Sequence, residues 1–313
     1  MLTLQKEEIS VKIRHLAREK EAIILAHNYQ TGEVQEISDV VGDSLGLSLE
    51  AKKTNARMIV FCGVLFMAET AKILNPDKKV LLPNSAAGCS LANSITPESL
   101  DDWSQKYPEH TVVTYVNSSA EVKAMSYICC TSANAVSVVK SVPSNKILFT
   151  PDRNLGAWVK KQVPEKEIVI YDGDCPVHDV LRSPDLVKLK ERLPGAVVIA
   201  HPECREDVLQ LADEICSTTG MISRVAKHPE ADLFIIATEE GMLYQLRKKF
   251  PDKEFVLADG CIGCKLLCPY MKATTLEDVY RSLTEERHEI TISDSIIRDA
   301  RNSLERMLAV PRD

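Results

Sequence analysis

Residues 167–175, EIVIYDGDC, read as a short apolar strand running into a glycine-containing loop that ends in a cysteine. The same pattern stands at KVLLPNSAAGC, residues 79–89, and at EFVLADGC, residues 254–261. Cys89, Cys175 and Cys261 are therefore spaced at 86 and 86 residues. Two further sets of positions keep nearly that interval. A first strand runs into His27, Tyr115 and His201, and a hydroxyl residue suited to starting a helix recurs as Ser44, Ser132 and Thr218, both sets spaced 88 and 86. Between them MIVFC (58–62), KILF (146–149) and DLFIIA (232–237) each lead into a helical stretch. Self-similarity at a fixed period marks one structural unit used repeatedly, and strands alternating with helices mark parallel sheets. The expected fold is α/β, with three similar three-layer α/β/α domains carrying parallel sheets around a pseudo-threefold axis. The expected boundaries are 21–106, 107–193 and 194–283, with helical segments at 1–20 and 284–313. Ligands in such folds gather at the carboxyl ends of strands, where all nine periodic positions fall.

The 313 residues hold 38 Lys and Arg against 45 Asp and Glu, a net charge of −7. A nucleic-acid or anionic-membrane binder usually has the opposite sign. The longest nearly unbroken apolar run, Met58 to Ala68, is short of the ~18 residues that span a bilayer. Gln5-Lys6-Glu7-Glu8 lacks the apolar core of a signal peptide. A soluble cytoplasmic protein with no nucleic-acid or membrane partner is expected. Ten cysteines are many for a compartment that keeps thiols reduced, so some should serve metal or redox chemistry. Cys62, Cys129, Cys130 and Cys216 lie in apolar or helical runs and read as small buried hydrophobes, and Cys204 also reads as structural. Cys89, Cys175, Cys261, Cys264 and Cys268 lie in loops after strands and are the ligand candidates.

One thiolate from each of three loops makes a three-cysteine site. Structural zinc usually takes a fourth protein ligand, whereas a [4Fe-4S] cluster on three cysteines leaves one iron open to polarise a substrate. Ser44, Ser132 and Thr218 offer hydroxyls and helix amides to an anion, with plain helix capping as the alternative. His27, Tyr29, His201 and Glu203 offer imidazoles, a phenol and a carboxylate for proton transfer. Asn117 suits a carboxylate, and His178, three residues after Cys175, suits an outer donor. A zinc hydrolase and a non-catalytic redox or iron sensor remain open as other classes. Absorption near 400 nm separates a cluster from zinc, and a sensor has no need of the set around His27, Asn117 and Glu203.

The stretches ILAHNYQ (24–30), GDSLGLS (42–48), AGCSLANS (87–94), YVNSSAEVKA (115–124), TSANAV (131–136), PDRNLG (151–156), GDCPVH (173–178), HPEC (201–204), TEEG (238–241) and CPYMK (268–272) together resemble the quinolinate synthase family of de novo NAD biosynthesis. The resemblance extends through most of residues 22–285. It implies condensation of iminosuccinate (iminoaspartate) with dihydroxyacetone phosphate to give quinolinate, phosphate and water. In that transferase reaction an open iron of one [4Fe-4S] cluster is the Lewis acid. It implies cluster ligands Cys89, Cys175 and Cys268, and catalytic roles for Tyr29, Glu203 and His201. The implied substrate site is His27, Ser44, Tyr115, Val116, Asn117, Ser132, His201, Pro202, Glu203 and Thr218. Transient contact with L-aspartate oxidase, the source of the imine, is the partner expectation. The period selects Cys261 as third ligand while the motif before Pro-x-Met selects Cys268, and the motif is followed. Cys261 and Cys264 form a Cys-x-x-Cys pair, read either as a redox switch or as a solvated spare pair.

Overall fold

The computed structural model describes residues 2–258 and 266–313; Cys261 and Cys264 lie outside the described residues. Its centre is three four-stranded sheets whose strand pairings are all parallel. The first is β1 (Ala22–His27), β2 (Val40–Gly42), β3 (Met58–Cys62) and β4 (Lys79–Leu81), in the order β2-β1-β3-β4. The second is β5 (Thr111–Tyr115), β6 (Ile128–Cys130), β7 (Lys146–Thr150) and β8 (Glu167–Ile170), in the order β6-β5-β7-β8. The third is β9 (Val197–Ala200), β10 (Glu214–Ile215), β11 (Leu233–Ala237) and β12 (Glu254–Leu257), in the order β10-β9-β11-β12. One topology used three times is what the sequence period predicts. β2 and β10, three and two residues long, carry no readable apolar run, and the sequence does not predict them.

Helices on the sheet faces explain why strands such as MIVFC are apolar at every position rather than alternating: both faces are covered, and all five residues of β3 are buried. The helix Leu2–Glu19 sets Ile13 and Ala17 against Leu276, Val279 and Leu283 of the helix Leu276–Glu285. The helix Asp294–Leu308 buries Ile297, Ala300, Leu304 and Met307, packing on the helix Ala120–Ala124 and on β6. Each such large side chain contributes about 1.5–3 kcal/mol on burial. Among the described residues no helix is long and apolar enough to cross a membrane.

The strand order also positions the site. In the first sheet the chain leaves β1 for β2 on one side and then crosses to β3 on the other, so the connections diverge and a crevice opens beyond the carboxyl end of β1. The same holds for β5 and β9. His27 is the last residue of β1, Tyr115 is the last of β5, and His201 directly follows β9.

Candidate active site

The three crevices open into one small, narrow cavity of about 60 Å³. His27, Tyr29, Ser44, Cys89, Tyr115, Asn117, Ser132, Cys175, His201, Glu203, Thr218 and Cys268 all line it. Val116 and Pro202 are buried but do not line it. Val116 instead ties the end of β5 to β6, its N–H donating to the Cys130 carbonyl at 2.9 Å.

The hydroxyls differ from expectation in a useful way. Ser44 and Thr218 are the first residues of helices Ser44–Lys53 and Thr218–Lys227, but the caps are the preceding residues. Asp43 accepts the Gly46 N–H at 2.8 Å and Ser217 accepts the Gly220 N–H at 3.3 Å. Capping is thus done by a neighbour, and Ser44 and Thr218 are left facing the cavity. Ser132 does not start a helix; the helix Ala135–Ser141 begins three residues on, and Ser132 Oγ meets His201 Nε2 at 3.1 Å. Thr218 Oγ1 accepts from Asn28 Nδ2 at 2.8 Å. Asn117 Oδ1 is buried without a partner among the described residues, a costly state unless a ligand group completes it.

Proton-transfer groups sit side by side. His27 Nδ1 accepts the Tyr29 N–H at 3.1 Å, and the two rings pack edge to face. The Tyr29 hydroxyl lies 2.5 Å from Thr238 Oγ1 and 3.4 Å from His178 Nε2. Burial, then the charge of Glu203, pushes the Tyr29 phenol well above its ordinary range. Glu203 Oε2 lies 3.2 Å from His178 Nδ1 and 3.1 Å from His201 Nδ1. Burial pushes this carboxyl up, yet the His178 and His201 imidazoles and a hydrogen bond from Tyr115 together outweigh it and hold Glu203 below the ordinary carboxylate range. Burial lowers His27 to about 4 and His178 to about 4. A neutral phenol and an ionised carboxylate in one cavity supply a proton donor and a proton acceptor.

The three thiols come one from each unit. Cys89 Sγ accepts the Ala92 N–H at 3.4 Å, and Cys175 Sγ lies 3.2 Å from His178 Nδ1. The Cys268 N–H donates to Glu239 Oε1 at 3.1 Å. Burial pushes the Cys89 thiol up to about 12 and also raises Cys175 and Cys268. Negative charge on Cys268 would raise Cys89 further, as charge on Cys89 would raise Cys175. Three unpaired thiols that line one cavity, and whose charges would oppose one another's ionisation without a compensating cation, fit a metal–sulfur group. Cys175, His178 and Glu203 also bring one ligand atom each within 4.8 Å of the others, a geometry open to a metal ion.

Several residues that support the site were not singled out from sequence. Glu239 receives the Cys268 N–H and pairs with Lys272 at 2.8 Å, and Lys272 Nζ donates to the Tyr29 carbonyl at 2.6 Å. One buried carboxylate thereby ties a thiol loop, through Lys272, to the Tyr29 backbone. Thr238 bridges Tyr29 to His178, whose Nε2 lies 2.9 Å from its hydroxyl. Asp152 caps the helix Arg153–Gln162 and accepts the Cys175 N–H at 3.2 Å. The available signal was their position inside TEEG, CPYMK and PDRNLG, without any chemistry to separate them from ordinary turn residues.

A family model described as quinolinate synthetase A protein (NadA) matches residues 11–309. The chain is 51% identical over 310 residues to a protein of Geotalea uraniireducens named quinolinate synthase, covering 99% of this chain and 100% of that one. A protein of the same name from Thermodesulfovibrio yellowstonii is 50% identical over 299 residues, covering 96% of this chain and 97% of its own length. A third, from Caldicellulosiruptor saccharolyticus, is 49% identical over 303 residues, with 96% and 98% covered.

Proposed function

The chain belongs to the quinolinate synthetase A family, and on that premise we propose that it condenses iminosuccinate with dihydroxyacetone phosphate, releasing phosphate and two waters, to form quinolinate. The observation that carries this reading is a single cavity joining one thiol from each sheet unit, the hydroxyls of Ser44, Ser132 and Thr218, and the pair Tyr29 and Glu203. Cys89, Cys175 and Cys268 would hold a [4Fe-4S] cluster. When bound, such a cluster supplies an iron with an open position for Lewis-acid chemistry.

The chain's own groups do the rest. Ser44, Ser132 and Thr218 donate to the carboxylates of the dicarboxylate, and the unpartnered Asn117 Oδ1 accepts from the imine N–H. His27 and Tyr115, at the ends of β1 and β5, orient the same substrate. Glu203 accepts the carbon-bound proton in enolisation and, once protonated, returns it to a departing hydroxyl so that water leaves. Tyr29 moves the second proton through its hydroxyl, with Thr238 and His178 holding that hydroxyl in place. His201 steadies the Glu203 carboxylate through Nδ1 and is itself held by the Ser132 hydroxyl at Nε2. Val64, Phe66 and Met67 line the remaining wall and exclude water from the reacting carbons.

This reading makes the protein a cytoplasmic transferase of NAD biosynthesis, fed by transient contact with L-aspartate oxidase. The test is an anaerobic incubation of the purified, cluster-loaded protein with both substrates. Quinolinate should form only when both are present, and none under those conditions would overturn the reading.

A further inference from the structure

Segment 310–313 bonds to the first two units directly and reaches the third through Asp43, beside the cavity's polar wall. Arg312 makes a two-pronged pair with Asp43, Nη1 to Oδ2 at 2.5 Å and Nη2 to Oδ1 at 2.8 Å. Asp43 lines the cavity with its side chain 6% exposed. It also accepts the Ser217 hydroxyl at 3.4 Å, and its own N–H donates to Thr219 Oγ1 at 3.2 Å. The next residue, Asp313, donates its N–H to the Ala133 carbonyl at 2.7 Å, and its carboxylate accepts the N–H groups of Val136 and Ser137. Asn134 Nδ2 holds the same segment through the Met307 and Val310 carbonyls.

These contacts share one feature. Asp43 directly precedes Ser44, Ser217 directly precedes Thr218, and Ala133 directly follows Ser132. Each anchor therefore lies one residue from one of the three cavity hydroxyls, although the hydroxyls come from three different sheet units. Backbone geometry carries a shift of one residue into the next, so the pair Arg312–Asp313 bears on Ser44 and Ser132 directly and on Thr218 through Asp43 and Ser217. Gly46 keeps room for this arrangement: a Cβ there would come 3.1 Å from Arg312 Nη2 and 3.3 Å from Asp43 Oδ1.

We propose that Arg312 is a positioning residue for the substrate's carboxylates, acting through Asp43 as a clasp that sets the spacing of Ser44, Ser132 and Thr218. The proposal deepens the quinolinate synthase reading and rests on it for the identity of the ligand. It does not place Arg312 against the substrate, and the guanidinium is not among the groups lining the central cavity.

The test compares Arg312→Gln, Arg312→Lys and Gly46→Ala with the wild-type holoenzyme. Arg312→Gln should raise the KM for iminosuccinate about tenfold, less than the ~10²-fold that 1 Å of misplacement can cost, with kcat within a few-fold and iron content unchanged. Arg312→Lys should fall between the two. Gly46→Ala removes a helix glycine, which favours the helix by itself, and crowds the guanidinium, so it should raise KM without loss of thermal stability. Amide hydrogen exchange is read on the same proteins and needs no turnover. In Arg312→Gln, residues 44–48 and 218–222 should exchange faster together while β7 keeps its protection. Faster exchange confined to 310–313, or a wild-type KM in Arg312→Gln, would overturn the clasp. Coupled exchange in a protein whose wild type makes no quinolinate would sustain the clasp and overturn the functional reading alone.

Discussion

Glu203 Oε2 and His178 Nδ1 meet at 3.2 Å with both side chains almost wholly buried, at 4% and 2% exposure. His178 also stands 3.2 Å from Cys175 Sγ and 3.4 Å from the Tyr29 hydroxyl. One imidazole thus links a thiol, a carboxylate and a phenol that come from three parts of the chain. A buried carboxylate flanked by two imidazoles stays ionised, and a proton acceptor needs that state.

Tyr29→Phe and Glu203→Gln keep shape while removing a movable proton. Each should retain wild-type iron and sulfide but lower turnover by about 10²–10⁴-fold, the usual consequence of losing a general acid or base. A loaded variant within a few-fold of wild type would reduce that residue to a lining role.

Cys89→Ala, Cys175→Ala and Cys268→Ala should each lose the cluster, because two thiolates do not retain it. Cys62→Ala and Cys216→Ala should keep it, since neither residue lines the cavity. Iron and sulfide analysis decides this. Full iron without sulfide, or stoichiometric zinc, would point instead to a single ion at Cys175, His178 and Glu203.

Gly241 passes against the Tyr29 backbone so closely that a Cβ would sit 2.7 Å from the Tyr29 carbonyl carbon and oxygen. Gly241→Ala must push that backbone away and carry the phenol with it. Turnover should fall by up to ~10²-fold, the cost of about 1 Å of misplacement, with iron content preserved. Unchanged kcat would mean that the helix Met242–Lys249 yields instead.

Burial holds His27 at about 4, against 6.5 for the free side chain. As pH falls, the unfolded chain takes up the proton first, so stability present above pH ~6.5 drains away down to pH ~4. The amount is on the order of 3 kcal/mol for one imidazole. Urea midpoints at about pH 7.5 and about pH 5 should therefore differ more in wild type than in His27→Gln. Parallel shifts in the two proteins would show that His27 is not the group responsible.

The repeat was legible because it is written in chemistry as well as in hydropathy: His27, Tyr115 and His201 end equivalent strands, and Cys89 and Cys175 follow equivalent loops. β2 and β10 were not, since Val-Val-Gly and Glu-Ile have at most two adjacent apolar residues, where β4, equally short and also at an edge, lies in the longer run Val-Leu-Leu. At the third thiol the periodic position, Cys261, lies outside the described residues, while Cys268 lines the cavity. Sequence could propose Ser44 as a cap; only geometry shows Asp43 capping and Ser44 free. The links from Lys272 to Glu239 and from Arg312 to Asp43 join residues 33 and 269 positions apart. No local pattern encodes such pairs.

Carbon tracing tests the central claim most directly. Cluster-loaded protein is given iminosuccinate and dihydroxyacetone phosphate labelled at all three carbons with carbon-13, and the pyridine product is weighed. The account predicts quinolinate heavier by three mass units, formed with one phosphate per product. Unlabelled product, or no pyridine while the cluster is intact, would contradict it.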